Sequence, residues 1–186
     1  MAKKLEAVAG FLRNNKGKIL VAVAALLLVS LFFGIPVKTV FIIPLLVAAA
    51  SFSTFYFNYF VAPVNFELVK LATILAAASY GFLPGLTVGV ASTFFGKVLI
   101  GRVDEKLPLS MLMISVIAVA AAIFSTANIT TLGITLVLAY NVTMFTLTQL
   151  MGGDLAWNLP YETTNFAFNV FLFVKVAPFL LQAMSS

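Results

Sequence analysis

Polar and charged side chains inside long apolar stretches are the residues of this chain that could bind a ligand or take part in chemistry. The 186 residues are 62% hydrophobic and 9% charged. A lysine at the centre of a bilayer costs about 2.5 to 3.5 kcal/mol, so polar residues at such positions usually line a cavity or contact a partner. The side chains in question are Lys70, Lys97, Lys175, Asn141, Asn165 and Asn169.

Amide groups form the most regular of these patterns. Asn165 and Asn169 are four residues apart, which places both on one face of a helix. Tyr140 and Asn141 in the preceding apolar run could face them. Amides both donate and accept hydrogen bonds, which suits a heterocyclic ligand, although hydrogen bonding between helices is the alternative. Lys175 either points into the bundle or extends to the nearer membrane interface.

The segment 152–165 is the longest predicted connection and the richest in functional groups. It begins with Gly152-Gly153, and we expect it to act as a lid in which Trp157 offers a flat apolar surface. An aromatic belt at the membrane interface, formed by Trp157 and Tyr161, is the alternative. The complete set of expected ligand-binding residues is Tyr140, Asn141, Asp154, Trp157, Asn158, Glu162, Asn165, Asn169 and Lys175.

The composition argues against several classes of function. With no histidine and no cysteine, the chain lacks the usual ligands of zinc, haem and iron–sulfur clusters, and it lacks an imidazole base. Asp154 and Glu162 could form an acid–base pair, but no catalytic or phosphate-binding motif accompanies them. We therefore expect no enzyme activity, no catalytic residues, no metal and no cofactor.

The distribution of charge points to a membrane rather than to nucleic acid. The net charge is +5, and five of the eleven basic residues lie within the first eighteen positions. A basic N-terminus is typical of a segment that stays in the cytoplasm. We expect a lipid bilayer as the surrounding partner, no nucleic acid, and a multi-pass protein of the cell membrane.

Seven apolar runs define the expected architecture, an all-α, polytopic transmembrane bundle of six to seven helices. None of the runs alternates polar and apolar residues as a barrel strand must. The number stays open because the first run is short. Residues 1–17 are expected to form an amphipathic helix in the interface, and 18–186 a single transmembrane domain. The runs are 18–34, 39–61, 66–83, 86–101, 109–126, 130–150 and 163–183.

Small residues recur with a spacing of four at Gly81, Gly85 and Gly89. Such stripes let helices approach closely in lipid. Packing within the bundle is one interpretation of this stripe. A smooth face on which the helices of another subunit dock is the other.

The stretch Asn65-Phe66-Glu67-Leu68-Val69, followed by Tyr80-Gly81-Phe82-Leu83-Pro84-Gly85-Leu86-Thr87-Val88-Gly89, resembles the substrate-capture (S) components of energy-coupling factor vitamin transporters. The later Asn141 and Asn165-Phe166-Ala167-Phe168-Asn169 fit the same order of elements, and the likeness covers about residues 39 to 183. Members of that family are small six-helix membrane proteins with a tight glycine-containing connection between two helices.

This resemblance implies a non-catalytic subunit that captures a vitamin-like small molecule. Separate ATPase and transmembrane coupling subunits would then supply the energy, since this chain has no Gly-x-x-x-x-Gly-Lys loop. The resemblance suggests docking of a coupling subunit at Ala49, Ser53, Gly85 and Gly89. A structural or assembly subunit of a larger membrane complex, of the scaffold or cell-shape type, is the alternative function.

Overall fold

The structure is a computed structural model, and it describes residues 16–18, 21, 24, 36–60 and 62–185. The expected interfacial helix and most of the first apolar run lie outside these residues. The chain divides into two compact units, Met1–Ile42 and Ile43–Ser186. In the first unit, residues 16–18, 21 and 24 are helical. The second unit contains the candidate site.

Every element in the described part of the chain is helical, which confirms the all-helical prediction. The elements are α1 (Val37–Phe52), a short 3-10 helix (Phe55–Asn58), α2 (Val69–Tyr80), α3 (Phe82–Leu99), α4 (Lys106–Ile123), α5 (Ile129–Leu150), α6 (Leu155–Lys175) and α7 (Ala177–Ser185).

Four of these segments are long and apolar enough to cross a membrane: Val37–Asn58, α3, α4 and α5. A fifth span results if α6 and α7 are counted together, although they meet at a bend of 53°. The outer face of α4 carries exposed Leu112, Val116, Val119 and Ile123, spaced as one helical stripe. An apolar stripe of this kind is suited to contact with lipid.

The short helix α2 forms the centre of the second unit. Nine consecutive residues, Val69 to Ala77, are buried, and α2 contacts all five helices α3 to α7. A helix that is enclosed on all sides has no polar face, which agrees with its nearly uninterrupted apolar sequence. At twelve residues it is also too short to cross the hydrocarbon layer alone.

A single residue, Gly81, connects α2 to α3. Its φ of +90° is accessible to glycine at little cost, and its N–H donates to the Ala77 carbonyl at 3.0 Å. The next helix then packs tightly on α2, because a Cβ on Gly85 would overlap Ala77 and one on Gly89 would lie 2.9 Å from Thr73 Oγ1. Gly85 and Gly89 therefore serve packing within the bundle.

The other two expected docking residues lie in the region of α1. Ala49 is exposed, whereas the Ser53 hydroxyl donates to the Ala50 carbonyl at 2.6 Å and accepts from the Leu68 N–H at 2.9 Å. Docking of a partner stays a prediction for the exposed Ala49 face.

The prediction of a long connection at 152–165 was wrong. Helix α5 ends at Leu150 and α6 begins at Leu155, eight residues before the predicted start. The Asp154 carboxylate caps α6 by accepting from the Ala156 N–H at 2.9 Å. Pro160 and the polar residues around it are typical of a loop, but here they occupy the first two turns of the helix.

Candidate functional site

A cavity of about 200 Å³ opens at one end of the second unit. The 3-10 helix, α3 and α5 end there, while α2, α4 and α6 begin there, so the cavity is built from helix ends and the loops that join them. Its lining is Thr54, Phe57, Asn65, Glu67, Val69, Lys70, Ser92, Thr93, Gly96, Lys97, Ile100, Arg102, Asp104, Lys106, Ser110, Ile114, Tyr140, Met144, Thr148, Trp157, Asn158, Tyr161 and Glu162.

A buried ion pair forms one part of the lining. Lys70, in the first turn of α2, is 1% exposed and pairs with Glu67, three residues earlier. Its Nζ also lies 4.4 Å from the centre of the Tyr140 ring. This pairing explains how a lysine is kept in the bundle, since a buried charge is tolerated when it is paired.

The electrostatics of this pair keep Glu67 ionised. Burial by itself raises the pKa of Glu67, but the Lys70 ammonium and hydrogen bonds from Lys70 and Asn65 outweigh it and bring the pKa below the ordinary value. The carboxylate therefore holds its negative charge at neutral pH.

The wall formed by the end of α3, the loop after it and the start of α4 is rich in cations. Lys97 Nζ lies 3.4 Å from Asp104 Oδ2, so this lysine has a carboxylate partner. Within the described ranges, neither Arg102 nor Lys106 forms an ion pair. Arg102 instead places its guanidinium carbon 5.2 Å from the centre of the Phe57 ring.

Aromatic rings and hydrogen bonds hold residues 54–60 and 62–68 in place at the cavity. The Phe57 ring is stacked on Tyr161 of α6, with ring centres 6.1 Å apart and planes at 24°. The Tyr56 hydroxyl donates to the Val64 carbonyl and accepts from the Phe66 N–H, each at 2.9 Å. These contacts close the loop onto itself.

Polar contacts tie the same segment to neighbouring helices. The Asn58 amide donates to the Leu99 carbonyl at the end of α3, at 3.3 Å. The Asn65 N–H donates to Thr164 Oγ1 of α6 at 3.0 Å. The segment therefore forms a fixed part of the lining.

The first turns of α6 supply four lining residues: Trp157, Asn158, Tyr161 and Glu162. Their spacing puts them on one face of the helix, one turn apart. Trp157 is half-buried in this face. Trp157, Asn158 and Glu162 therefore line the cavity from a helix and not from a loop, and ligand binding by them stays a prediction. Tyr140 joins them from α5.

The remaining residues expected to bind a ligand do not line the cavity. Asp154 is exposed and caps α6. The Asn141 amide lies behind the lining and donates to the Glu162 carbonyl oxygen at 3.2 Å. Lys175 is exposed in the last turn of α6, about 20 Å along the helix from Glu162.

Asn165 and Asn169 are fully buried deeper in α6. The Asn169 amide donates to the Asn165 carbonyl at 3.0 Å. The two amides therefore lie on one helix face, as predicted, with Asn169 as the donor and Asn165 as the acceptor. Asn165 Nδ2 and Asn169 Oδ1 find no hydrogen-bond partner among the described residues.

Sequence reasoning did not identify the loop after α3, or the residues in the second half of α3, as part of the cavity lining. None of the expected ligand-binding residues comes from this loop or from α3. The segment from Gly101 to Pro108 does indicate a turn, because it places glycine, proline and charged residues between two apolar runs. What local sequence does not show is that this turn meets Phe57 and the start of α6.

Three buried polar atoms of the lining have no hydrogen-bond partner within the described part of the chain: Asn65 Oδ1, Ser92 Oγ and Asn158 Nδ2. Asn65 is 2% exposed and Ser92 is 0% exposed. Buried polar groups are nearly always hydrogen-bonded, so such atoms beside a cavity favour a polar occupant. The cavity thus combines charged groups of both signs, aromatic rings and free hydrogen-bonding atoms.

Among the described residues, no group of three or more His, Cys, Asp or Glu side chains is arranged to hold a metal ion. Comparisons with protein families, with curated proteins and with solved structures found no match.

Proposed function

We propose that this chain is the substrate-capture subunit of a membrane transporter for small, vitamin-like molecules. The observation that carries the proposal is the cavity at one end of an apolar helical unit, lined by charged side chains, aromatic rings and unpaired polar atoms. Such a combination of apolar surface and a few convergent polar groups is typical of small-molecule sites.

The position of the cavity supports capture from one side of a membrane. It lies among helix ends rather than midway along the helices, so a ligand could enter from the aqueous phase without crossing the bilayer. We propose that the chain crosses the cell membrane six times, counting the segment Val37–Asn58, α2 with the residues 62–68 that lead into it, α3, α4, α5, and α6 with α7.

Other subunits would supply the energy for transport. The chain has no phosphate-binding loop for ATP, so separate ATPase and transmembrane coupling subunits would drive transport. The exposed face around Ala49 is the proposed docking region. The chain itself would perform no chemistry.

Ligand binding by the purified protein tests this function. The protein in detergent would be screened against vitamins and related small metabolites by thermal shift, and native mass spectrometry would detect a ligand that copurifies. We expect at least one compound to raise the melting temperature. A folded protein that neither carries nor binds any of them would contradict the proposal.

A structural or assembly subunit is the second candidate, and the buried amides favour it. Asn165 and Asn169 bond within α6 and lie beneath the cavity, as expected of residues that stabilise a bundle. Copurification from native membranes separates the two functions. Recovery with ATP-binding subunits supports capture, whereas recovery with enzymes or cell-shape proteins supports a scaffold.

A further inference from the structure

Seven charged side chains line the cavity, and four of them neutralise one another. Glu67 pairs with Lys70, and Lys97 pairs with Asp104. The three that remain without an ion-pair partner among the described residues are two cations and one carboxyl, namely Arg102, Lys106 and Glu162.

These three groups lie on two walls. Arg102 and Lys106 belong to the loop after α3 and the start of α4, whereas Glu162 projects from the second turn of α6. Aromatic rings connect the two walls, since Phe57 contacts both the Arg102 guanidinium and the Tyr161 ring. The cavity therefore has a basic side, an aromatic middle and an acidic side.

Size restricts the occupant further. A cavity of about 200 Å³ lies below the usual range for drug-sized ligands, about 300 to 1,000 Å³. A single ring or an amino-acid-sized molecule would fill it, and a large cofactor would not.

Resting on the proposed capture function, we propose that the ligand is a small zwitterion. Its anionic oxygen group, a carboxylate or a phosphate, binds Arg102 and Lys106, and its protonated nitrogen binds Glu162. The body of the molecule lies against Phe57 and Trp157. Planar guanidinium groups match carboxylate and phosphate oxygens with two parallel hydrogen bonds, which makes Arg102 the main anion contact.

The unpaired atoms of the lining complete this arrangement. Asn65 Oδ1 can accept a hydrogen bond from a second N–H of the ligand's cationic end. The Ser92 hydroxyl can donate a hydrogen bond to the body of the ligand or accept one from it. Because both ends of a zwitterion must be matched, a ligand that lacks either charge leaves a half-buried charged group of the protein unpaired.

Matched probes test the inference. Binding to the full-length protein in detergent would be measured by thermal shift and calorimetry for the natural amino acids and for two amino phosphates, O-phosphoethanolamine and pyridoxamine phosphate. Each zwitterion that binds would be compared with its amide or its dephosphorylated form, which lacks the anion, and with its deaminated form, which lacks the cation. We expect the zwitterion to bind at least tenfold more tightly than either. Whether carboxylates or phosphates bind identifies the anionic group.

Two variants assign each charge to its residue. In Arg102→Gln, the preference for the zwitterion over its anion-deficient form should fall sharply, because only Lys106 remains to bind the anion. In Glu162→Gln, the zwitterion and its deaminated form should bind equally. Lys106→Gln repeats the first test at a second cation, and Glu105→Gln, whose side chain is exposed and outside the lining, should behave as wild type.

The possible failures are distinguishable. If a neutral or singly charged metabolite from the wider screen binds best, the zwitterion inference is overturned while the capture function stands. If no compound of any class binds to folded protein, the capture function fails with it. Selectivity that is undiminished in both Arg102→Gln and Glu162→Gln would also overturn the inference.

Discussion

The guanidinium carbon of Arg102 lies 5.2 Å from the centre of the Phe57 ring, which joins the loop after α3 to the short helix that follows α1. Phe57 is 5% exposed, so the contact is largely shielded from water. Cation–π contacts contribute about 0.5 to 2 kcal/mol, with the larger values at desolvated sites. One aromatic ring therefore connects two separate segments of the cavity lining and orients the unpaired cation.

The ion pair between Glu67 and Lys70 should contribute strongly to stability. Glu67→Gln leaves Lys70 buried without a carboxylate, and we expect the free energy of unfolding to fall by about 3 to 5 kcal/mol. Denaturant unfolding in detergent measures it. The control is Asp104→Asn, which breaks the more exposed pair with Lys97 and should cost no more than about 1 kcal/mol. Equal effects of the two substitutions would contradict the prediction.

The same carboxylate predicts a pH dependence of stability. The pKa of Glu67 is lower in the folded protein than its ordinary value of 4.5. Its contribution is therefore complete above about pH 4.5 and is lost as the pH falls through the folded-state pKa. The difference in melting temperature between wild type and Glu67→Gln should be constant from pH 7 to pH 5 and should shrink at lower pH. A difference that widens on acidification would show the opposite sign of linkage.

Trp157 should report ligand binding by fluorescence, because it is the single tryptophan of the chain and lines the cavity. Trp157→Ala should weaken binding by about 1 to 3 kcal/mol, the value of one stacked aromatic contact. Calorimetry with a confirmed ligand measures it. Leu155→Ala alters an exposed residue of the same helix turn that does not line the cavity and should leave affinity unchanged. Unchanged affinity in Trp157→Ala would assign the ring to the membrane interface.

Gly85 should not tolerate even one additional carbon. A Cβ at this position would overlap the Ala77 side chain and lie 2.7 Å from Ala77 Cα, which belongs to the backbone of α2. Overpacking of this kind costs about 1 to 3 kcal/mol, so Gly85→Ala should lower the thermal midpoint. At Gly17 an added Cβ meets nothing within 4 Å, and Gly17→Ala should be neutral or slightly stabilising. A neutral Gly85→Ala would show that α2 and α3 are free to separate.

Cysteine labelling should place the two ends of α4 on opposite sides of the membrane. The chain has no cysteine, so each introduced thiol is a unique reporter. Asp104→Cys and Met151→Cys lie at the cavity end, and Ala127→Cys lies between α4 and α5 at the other end. A maleimide that cannot cross the membrane should label the first two from one side and the third from the other. Labelling of all three from a single side would contradict a spanning α4 and α5.

The predicted helices were confirmed where the local signal is strong. Long apolar runs placed α3, α4 and α5 within a few residues of their observed ends, because a backbone buried in lipid or protein must satisfy its own hydrogen bonds. The pair Glu67 and Lys70 was also predictable, since residues three apart on a helical turn lie side by side. The start of α6 was not predicted, because Pro160 and its polar neighbours are typical of a loop. In the structure the Asp154 carboxylate caps a helix that already includes these residues.

The sequence by itself determined that this protein is an apolar helical bundle that retains a few costly polar groups. Only the tertiary structure decided which of those groups meet. Arg102, Phe57 and Glu162 lie on three separate segments, and their convergence depends on how the helices pack around α2. Lys175 and Asn165 share a helix with Glu162, yet neither lines the cavity, because rise and rotation along α6 take them to other depths and faces. Spacing along the chain defines neighbours on one helix, whereas a site between helices depends on packing that no local pattern contains.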